Sequence, residues 1–552
     1  MAAEVAANGT GRSAAEQAPA EAVGPLIRGV TVLRALTDAG GREDLQELAS
    51  RTGLARATLD RITTTLEALG YLRFEGREAV LAPPLMELGN AYLSAARIPE
   101  LLGPRADALA EELDEMVTLT VPDRHGAHFV HLTKRDRRML LVCAIGDRLP
   151  LDASAPGALL AATWDPAQWE RHQAEHLCVR GATHTQTCTD DLRKRAATAK
   201  ADGWSLDDQW LEPGLIALGV PVHAPDGNLL CVVNVVSHIG RYPSADALAE
   251  AALLPGRRAA ADMEQELRKH PTQPQTAPPA GTARHSGPSK SALGRDFVES
   301  LARGLNVLTA FGPGRAALKS ADVARITGLP RATARRALIT LDHLGYVTNQ
   351  AGRYHPGAAI LSLGYAPLSR LSLAQLAQPH LTALSGRLSE SASLTVLSGT
   401  EIRYVARAAT TRLMTVDIAI GAHLPAYATA MGRVLLSGLP EAERAALLTT
   451  SNRPPLTPHT VTDPDELLRL LERTADDGYA LVDEELEVGL RSIAVPVHAH
   501  GQVRAAINIA MHPNRRTVTD CIEHVLPALR TAATAIEHDL AAVGQFNRVP
   551  PT

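Results

Sequence analysis

Four side chains within six residues carry the most specific chemistry in this sequence: Arg331, Thr333, Arg335 and Arg336. On a helix they share the outward face, and Arg353 follows on a short hairpin. An arginine fork binds a guanine edge or a phosphate with two hydrogen bonds, and a helix N-terminus favours anions. Between residues 319 and 353 there are six basic and two acidic residues, in a chain whose net charge is −5. A local cationic patch on a neutral-to-acidic protein points to duplex DNA. A weaker set, Arg56, Thr58 and Arg61, stands 275 residues earlier, in a window (44–78) with five basic and six acidic residues. There Asp60 takes the place of Arg335, and Glu75 and Glu78 load the hairpin. An acid facing phosphates weakens contact, so the second set is expected to dominate affinity.

Two other constellations compete. His172, His176, Cys178, His184 and Cys188 crowd 17 residues, a density that could hold zinc. Their spacing matches no closed zinc motif, and only His184 has a counterpart, His459, so the segment reads as a surface helix with incidental histidines. Asp483-Glu484-Glu485 resembles a set of catalytic carboxylates, but three acids in succession on a strand point to alternating faces. No GxSxG, P-loop or HExxH motif is present, so no enzyme and no cofactor are expected.

The elements that must position the arginines are legible around them. FVESLARGLNVLTAF has a helical apolar period, and Ser320–Ile326 is a short helix with Ser320 as its expected N-cap. Thr327–Pro330 is a tight turn, Arg331–Leu344 a second helix ended by Gly345, and 346–355 a strand–turn–strand. This is a winged helix-turn-helix. Further on, a helix is expected around Leu361–Leu368 and another at Leu373–Leu388. A hairpin turns at 398–399, a strand covers Met414–Ile420 and a helix covers Tyr427–Leu436. Three more strands then precede a helix from Cys521 to Leu540. An antiparallel sheet with packed helices makes an α+β domain large enough for a ligand cavity.

The whole arrangement occurs twice. A shift of 275 residues aligns Arg28-Gly29 with Arg303-Gly304, Leu69-Gly70-Tyr71 with Leu344-Gly345-Tyr346, and Val220–His223 with Val495–His498. After a one-residue slip, Asn234 matches Asn508. One offset held over so much chain is a tandem duplication. The Pro/Ala/Gly/Ser-rich stretch at 271–294 reads as a linker, and residues 1–22 as a disordered tail. The expected domains are winged units at 23–84 (degenerate) and 297–358, and effector-type domains at 85–268 (degenerate) and 359–545, with a linker at 269–296.

With 552 residues, 45% of them hydrophobic and 21% charged, the chain can bury several cores. It contains no apolar run of the roughly 18–20 residues that cross a bilayer, and no secretory signal pattern. Five cysteines without a CxxC pair make no disulfide scaffold, so a reducing cytoplasm is expected.

The second half resembles the IclR family of bacterial transcription regulators throughout. The stretches that carry the resemblance are SLARGLNVLTAF, ITGLPRATARRALITLDHLGYV, GAHLPAYATAMGRVLL, GYALVDEELEVGLRSIAVPV and AINIAMH. YVAR, LPAYATAMGRVLL and DEELEVGLRSIAVPV are similar to the subgroup (Pca and Pob regulators) that controls protocatechuate, 4-hydroxybenzoate and β-ketoadipate catabolism. The resemblance implies an α+β fold: two tandem copies of a winged helix-turn-helix followed by a GAF-like effector-binding domain. It also implies an effector pocket built from Leu413, Leu424, Ala430, Met431, Leu490, Ser492, Asn508 and Ala510, with Val482-Asp483 at its edge. The residue chemistry agrees: small apolar groups accept a ring, while Ser492, Asn508 and the amides at the Tyr427 helix start bind a carboxylate. Arg407, Arg412 and Arg491 are candidate carboxylate partners or, alternatively, structural ion pairs.

Half one departs from the pattern. Asp152, Pro156 and Ala158 replace Tyr427, Met431 and Arg433, Arg138 replaces Leu413, and Asp207–Trp210 replaces Val482–Glu485. Its pocket is therefore expected either to bind something else or to supply only a dimer-like surface. The sequence is thus expected to specify a regulator whose partners are double-stranded promoter DNA and a small carboxylic-acid effector, with no membrane partner. It forms an intramolecular pseudo-dimer, which could pair again into a pseudo-tetramer. The alternative is a small-molecule sensor acting through protein contacts without sequence-specific DNA binding.

Overall fold

The computed structural model describes residues 19–123, 126–135, 143–175, 189–270, 294–410 and 418–552. They gather into two compact units, one ending at Ser369 and the other beginning at Arg370.

The first unit opens with a winged domain: helix Gly24–Asp38, strand β1 (Arg42–Asp44), helices Leu45–Thr52 and Arg56–Ala68, and the hairpin β2 (Leu72–Glu75) and β3 (Glu78–Leu81). Its sheet runs β1-β3-β2. Helices Met86–Ala96 and Ile98–Leu113 lead into an antiparallel sheet of β4 (Met116–Pro122), β5 (Ala127–Thr133), β6 (Arg148–Leu149), β7 (Ser205–Asp208), β8 (Leu215–His223) and β9 (Leu229–His238). The strand order is β6-β5-β4-β9-β8-β7.

A second winged domain closes the unit: helices Glu299–Leu308, Ser320–Thr327 and Arg331–His343, then β10 (Val347–Gln350) and β11 (Arg353–Pro356). Ala334, Ala337, Leu338 and Leu341 are buried along helix Arg331–His343, the i, i+3, i+4, i+7 stripe that fixes which face looks outward. Gly328 (φ +69°) makes the turn between the two helices, and Gly345 (φ +80°) the stop. Ser320 is the first helical residue rather than the cap. Lys319 caps, its amide donating to the Asp322 carboxylate at 3.3 Å. The expected helix at Leu361–Leu368 is broken into a 3-10 turn (Ala358–Ser362) and a short helix (Tyr365–Ser369), because Gly364 turns left-handed at φ +89°.

The two winged domains pair through their first helices as near mirror roles. Leu301 packs where a Cβ on Gly29 would stand, and Leu26 where one on Gly304 would stand. The Val23 amide donates to Thr340 Oγ1 and the Val298 amide to Thr65 Oγ1, both at 2.9 Å. Each contact maps onto the other by the shift of 275, which is the signature of a twofold interface within one chain.

The second unit repeats the sheet domain. Helix Leu373–Leu388 precedes β12 (Ser391–Ser398), β13 (Glu401–Ala408), β14 (His423–Pro425), β15 (Ala480–Asp483), β16 (Arg491–Ala499) and β17 (Gln502–Met511), in the order β14-β13-β12-β17-β16-β15. Helix Leu526–Gly544 closes it, entered through a π turn at Cys521–Val525. On one sheet face Ala494 and Ala506 pack under helix Ala430–Ser437 with Met431, Val434 and Leu435. The expected helix from Tyr427 begins later: Ala426–Ala428 is a 3-10 turn, and Thr429 caps the helix by accepting from the Gly432 amide at 3.1 Å. Amides at Tyr427 are therefore not helix-terminal donors. The strand expected at Met414–Ile420 falls mostly outside the described residues.

Candidate functional site

In the second winged domain Arg331, Arg335 and Arg336 are exposed on helix Arg331–His343, and Thr333 is half-buried beside them. Arg353 is exposed on β11. The β10–β11 hairpin turns through Ala351 (φ +50°) and Gly352 (φ +78°), and the Asn349 carboxamide accepts from the Gly352 amide at 3.0 Å. This primed turn matches the strand twist and holds Arg353 opposite Gln350. Two of the helix arginines meet residue Glu21: Arg335 Nη1 is ion-paired with its carboxylate, and Arg336 Nε donates to its carbonyl at 3.4 Å.

The first winged domain keeps the scaffold and cancels the charge. Arg56 and Arg61 are exposed and Thr58 half-buried, but Arg56 Nε is paired with Asp60 at 2.9 Å, one helical turn away. Asp60 thus neutralises its neighbour instead of standing alone before a phosphate. On the wing, Glu75 and Glu78 face each other directly across β2 and β3. Like charges so placed repel. Arg42 resolves this by reaching both carboxylates, at 2.6 and 2.8 Å, and Arg73 adds a contact to Glu75 at 2.9 Å. Sequence spacing alone did not single out Arg42 or Glu21.

In the second sheet domain, period-two alternation decides which candidates share a face. Ser393 lies opposite both Asn508 and Arg407, Ala494 opposite Asn508, and Ser492 opposite Ala510. Asn508 Nδ2 donates to Ser492 Oγ at 2.8 Å, and Thr395 Oγ1 reaches Met431 Sδ at 3.3 Å. Leu424, Ala430 and Met431 belong to the apolar cluster above this floor. Asn508 is buried and its Oδ1 has no hydrogen-bond partner, while Arg407 Nη1 donates to the Ile418 carbonyl at 2.7 Å. Leu490 sits half-buried in the turn before β16. Leu413 and Arg412 lie outside the described residues.

Asp483 is a correction. It pairs with Arg491 across β15 and β16, one residue out of step with Ser492, and so belongs to the opposite face. Arg491 holds it through Nε at 2.9 Å and Nη2 at 2.6 Å, and donates Nη1 to the Arg516 carbonyl at 2.5 Å. That raises the Arg491 pKa and commits its guanidinium to structure. Glu484 and Glu485 lie beyond the strand end, not on it. Glu484 accepts from the Gly489 amide at 2.7 Å, and the buried Glu485 is ion-paired with the buried Arg433 at 2.5 Å. The three acids diverge, though for a different reason from the one expected.

The first sheet domain offers a different floor. Asn234 Nδ2 donates to Thr118 and Thr120 at 3.1 and 3.2 Å, and its Oδ1 too lacks a partner. By register, Leu132 stands where Arg407 stands, Ala217 where Ser492 stands and Val236 where Ala510 stands. Nearby, Arg195 lies 4.3 Å over the Trp210 ring and donates to the Asp152 carbonyl. Burial pushes the Asp207 carboxyl up to about 6, although it accepts from the Trp210 amide at 2.9 Å. His172, expected as a surface residue, is buried, with Nε2 3.0 Å from Asp152 Oδ1 and its ring against Trp164. His176, Cys178, His184, Cys188 and Arg138 lie outside the described residues, among which no cluster of three or more metal-type ligands occurs. No described helix is long and apolar enough to cross a membrane.

Against known proteins, the chain matches the IclR helix-turn-helix domain at residues 25–76 and 300–351. It matches the bacterial transcriptional regulator IclR C-terminal domain at 90–263 and 365–538. It is 39% identical over 287 residues to the Pca regulon regulatory protein of Pseudomonas putida, covering 50% of this chain and 99% of that protein. It is 35% identical over 260 residues to the p-hydroxybenzoate hydroxylase transcriptional activator of Acinetobacter baylyi, covering 46% and 96%. A solved transcriptional regulator from Rhodococcus sp. RHA1 is similar at 47% identity and a TM-score of 0.44, covering 45% of this chain and 99% of that one.

Proposed function

This chain belongs to the IclR family of bacterial transcription regulators, whose two domains it carries twice in succession, and on that premise we propose how the work is divided between its halves. It is a DNA-binding regulator, in a family of regulators rather than enzymes. The second winged domain supplies most of the affinity for promoter DNA, through Arg331, Thr333, Arg335, Arg336 and Arg353. Arg56, Thr58 and Arg61 of the first make a weaker, differently reading contact. The observation that carries this is the charge on one scaffold: in one copy an outward arginine face met by Glu21 from outside that domain, in the other charges paired within the domain itself. The paired winged domains act as a pseudo-dimer on two unequal half-sites, and covalent linkage raises the effective concentration of the second head. Two such chains together would form a pseudo-tetramer.

The effector is a small aromatic carboxylic acid of the hydroxybenzoate kind, bound in the second sheet domain, which we read as GAF-like. The names of the Pseudomonas and Acinetobacter relatives support the ligand class. The floor supports the chemistry. Arg407 offers a cation for the carboxylate, the buried and unpartnered Asn508 Oδ1 an acceptor for a phenol hydroxyl, and Leu424, Ala430, Met431 and Ala510 an apolar wall. Binding biases the heads only insofar as the acid prefers one of two arrangements. A thermal-shift screen of aromatic and dicarboxylic acids tests this: hydroxybenzoates are expected to stabilise the wild type and not Ser492→Leu. Equal stabilisation of Ser492→Leu by every acid that works would refute the pocket.

A further inference from the structure

A twofold interface brings some positions face to face with their own counterparts. Here those are Asn90 and Tyr365, 275 residues apart, with Tyr365 Oη donating to Asn90 Oδ1 at 2.9 Å. Both are buried, 5% and 1% exposed. In a homodimer the axis would present one residue twice; this chain presents two different residues that need each other.

The backbone around the axis is unlike as well. Met86–Ala96 is an unbroken helix with Gly89 inside it, whereas the matching chain from 361 onward is interrupted at Gly364, φ +89°. The Tyr365 ring lies in the space that Gly89 leaves, since a Cβ there would come within 2.2 Å of Cδ2. Leu85 in turn lies against Gly364, where a Cβ would meet Cδ2 at 2.5 Å. Gly146 (φ +90°) and the Ile145 carbonyl, which accepts from Ser369 Oγ at 3.1 Å, hold the other side of the kinked segment.

We propose that this surface is selective for the unlike half: residues 86–96 of the first repeat take residues 358–369 of the second, and like repeats of two chains do not pair through it. In a pair of second repeats each ring would meet Gly364, whose left-handed turn (φ +89°) replaces the helical Gly89, and a second ring in place of Asn90, while two Asn90 side chains leave the ring's volume empty, a cavity that destabilises a core. Every pair of heads presented to DNA is then one of each type. The inference concerns pairing alone and stands whatever the heads bind.

The test is photolysis of the full chain carrying the Tyr365→p-benzoylphenylalanine substitution, in a mixture of isotopically heavy and light copies. The expected adduct joins position 365 to a peptide from 86–96. An adduct between position 365 and a 358–369 peptide of another copy would overturn the proposal. As a second route, the double substitution Asn90→Cys/Tyr365→Cys is treated with a short bismaleimide. A 90–365 link in the double variant, with no chain-to-chain link in either single variant, supports unlike pairing. Chain dimers from Asn90→Cys or Tyr365→Cys alone, or no 90–365 link at all, contradict it.

Discussion

The two winged domains have one scaffold and opposite electrostatics. Gly53 and Gly328 make the same left-handed turn, at φ +66° and +69°, and Leu59, Ile62 and Leu66 bury the stripe that Ala334, Ala337 and Leu341 bury. What differs is the outward face. Where the second domain has Arg335, the first has Asp60, which closes on Arg56. Where the second has Gln350 opposite Arg353, the first has Glu75 opposite Glu78 under Arg42. Apolar positions preserve a fold while solvent-facing ones drift, because only the former are held by packing. The first head has therefore paired its surface charges with one another without losing its shape.

The sheet domains make the same point inside the core, and here the comparison can be broken most sharply. The second holds the buried pair Arg433–Glu485, with the Val461 amide donating to Glu485 at 3.1 Å. The first has Ala158 and Trp210 at those places and no such pair to break. Removing one member of a buried pair strands the other's charge, so Glu485→Gln should destabilise the second unit by about 3–5 kcal/mol. Calorimetry of the full chain would show one transition falling well below the other, whereas Trp210→Phe should spare the second unit.

A smaller effect is expected in the first sheet domain. Burial holds Asp207 at about 6, above the value of about 3.9 for an unfolded chain. The folded state then binds the proton more tightly, so this residue's contribution to stability falls as pH rises from about 4 to about 6 and stays lost above that. Asp207→Asn should stabilise the first unit at pH 7 by an amount on the order of 3 kcal/mol, read as a higher melting temperature, and the gain should vanish near pH 4. A pH-independent difference between variant and wild type would show that Asp207 is not the group responsible.

The smallest expected effect concerns Glu21. Its pair with Arg335 is half-exposed on both sides and so is weak. DNA must nonetheless compete with it, and Glu21→Gln should raise affinity by about twofold to fivefold at low salt, with the difference fading as salt screens it. A loss of affinity on that substitution would mean Glu21 helps to position the arginines rather than covering them.

Much of this was legible in the residues. The repeat, the glycine turns and the helical stripe fixed both winged domains, since each depends on neighbours in sequence. The proposed pocket face was partly legible. Ser492, Asn508 and Ala510 fall on one face by alternation, but Asp483 belongs to the other, because cross-strand register cannot be counted along a single strand. Arg433 and Glu485 stand 52 residues apart, and Asn90 and Tyr365 stand 275 apart. Such partners are chosen by the tertiary fold. For Asn90 and Tyr365 one clue was present: a duplicated chain whose repeats differ at a position that the repeat itself places on the axis.

The division between the heads is tested most directly by operator binding of the full chain, followed by fluorescence anisotropy across a series of salt concentrations. Arg335→Ala/Arg336→Ala should weaken binding by about 1–3 kcal/mol for each guanine edge no longer read, and should reduce the salt slope by about 0.9 for each phosphate no longer neutralised. Arg56→Ala/Arg61→Ala should reduce both quantities by clearly less. Equal reductions of affinity and slope from the two double variants would contradict the account.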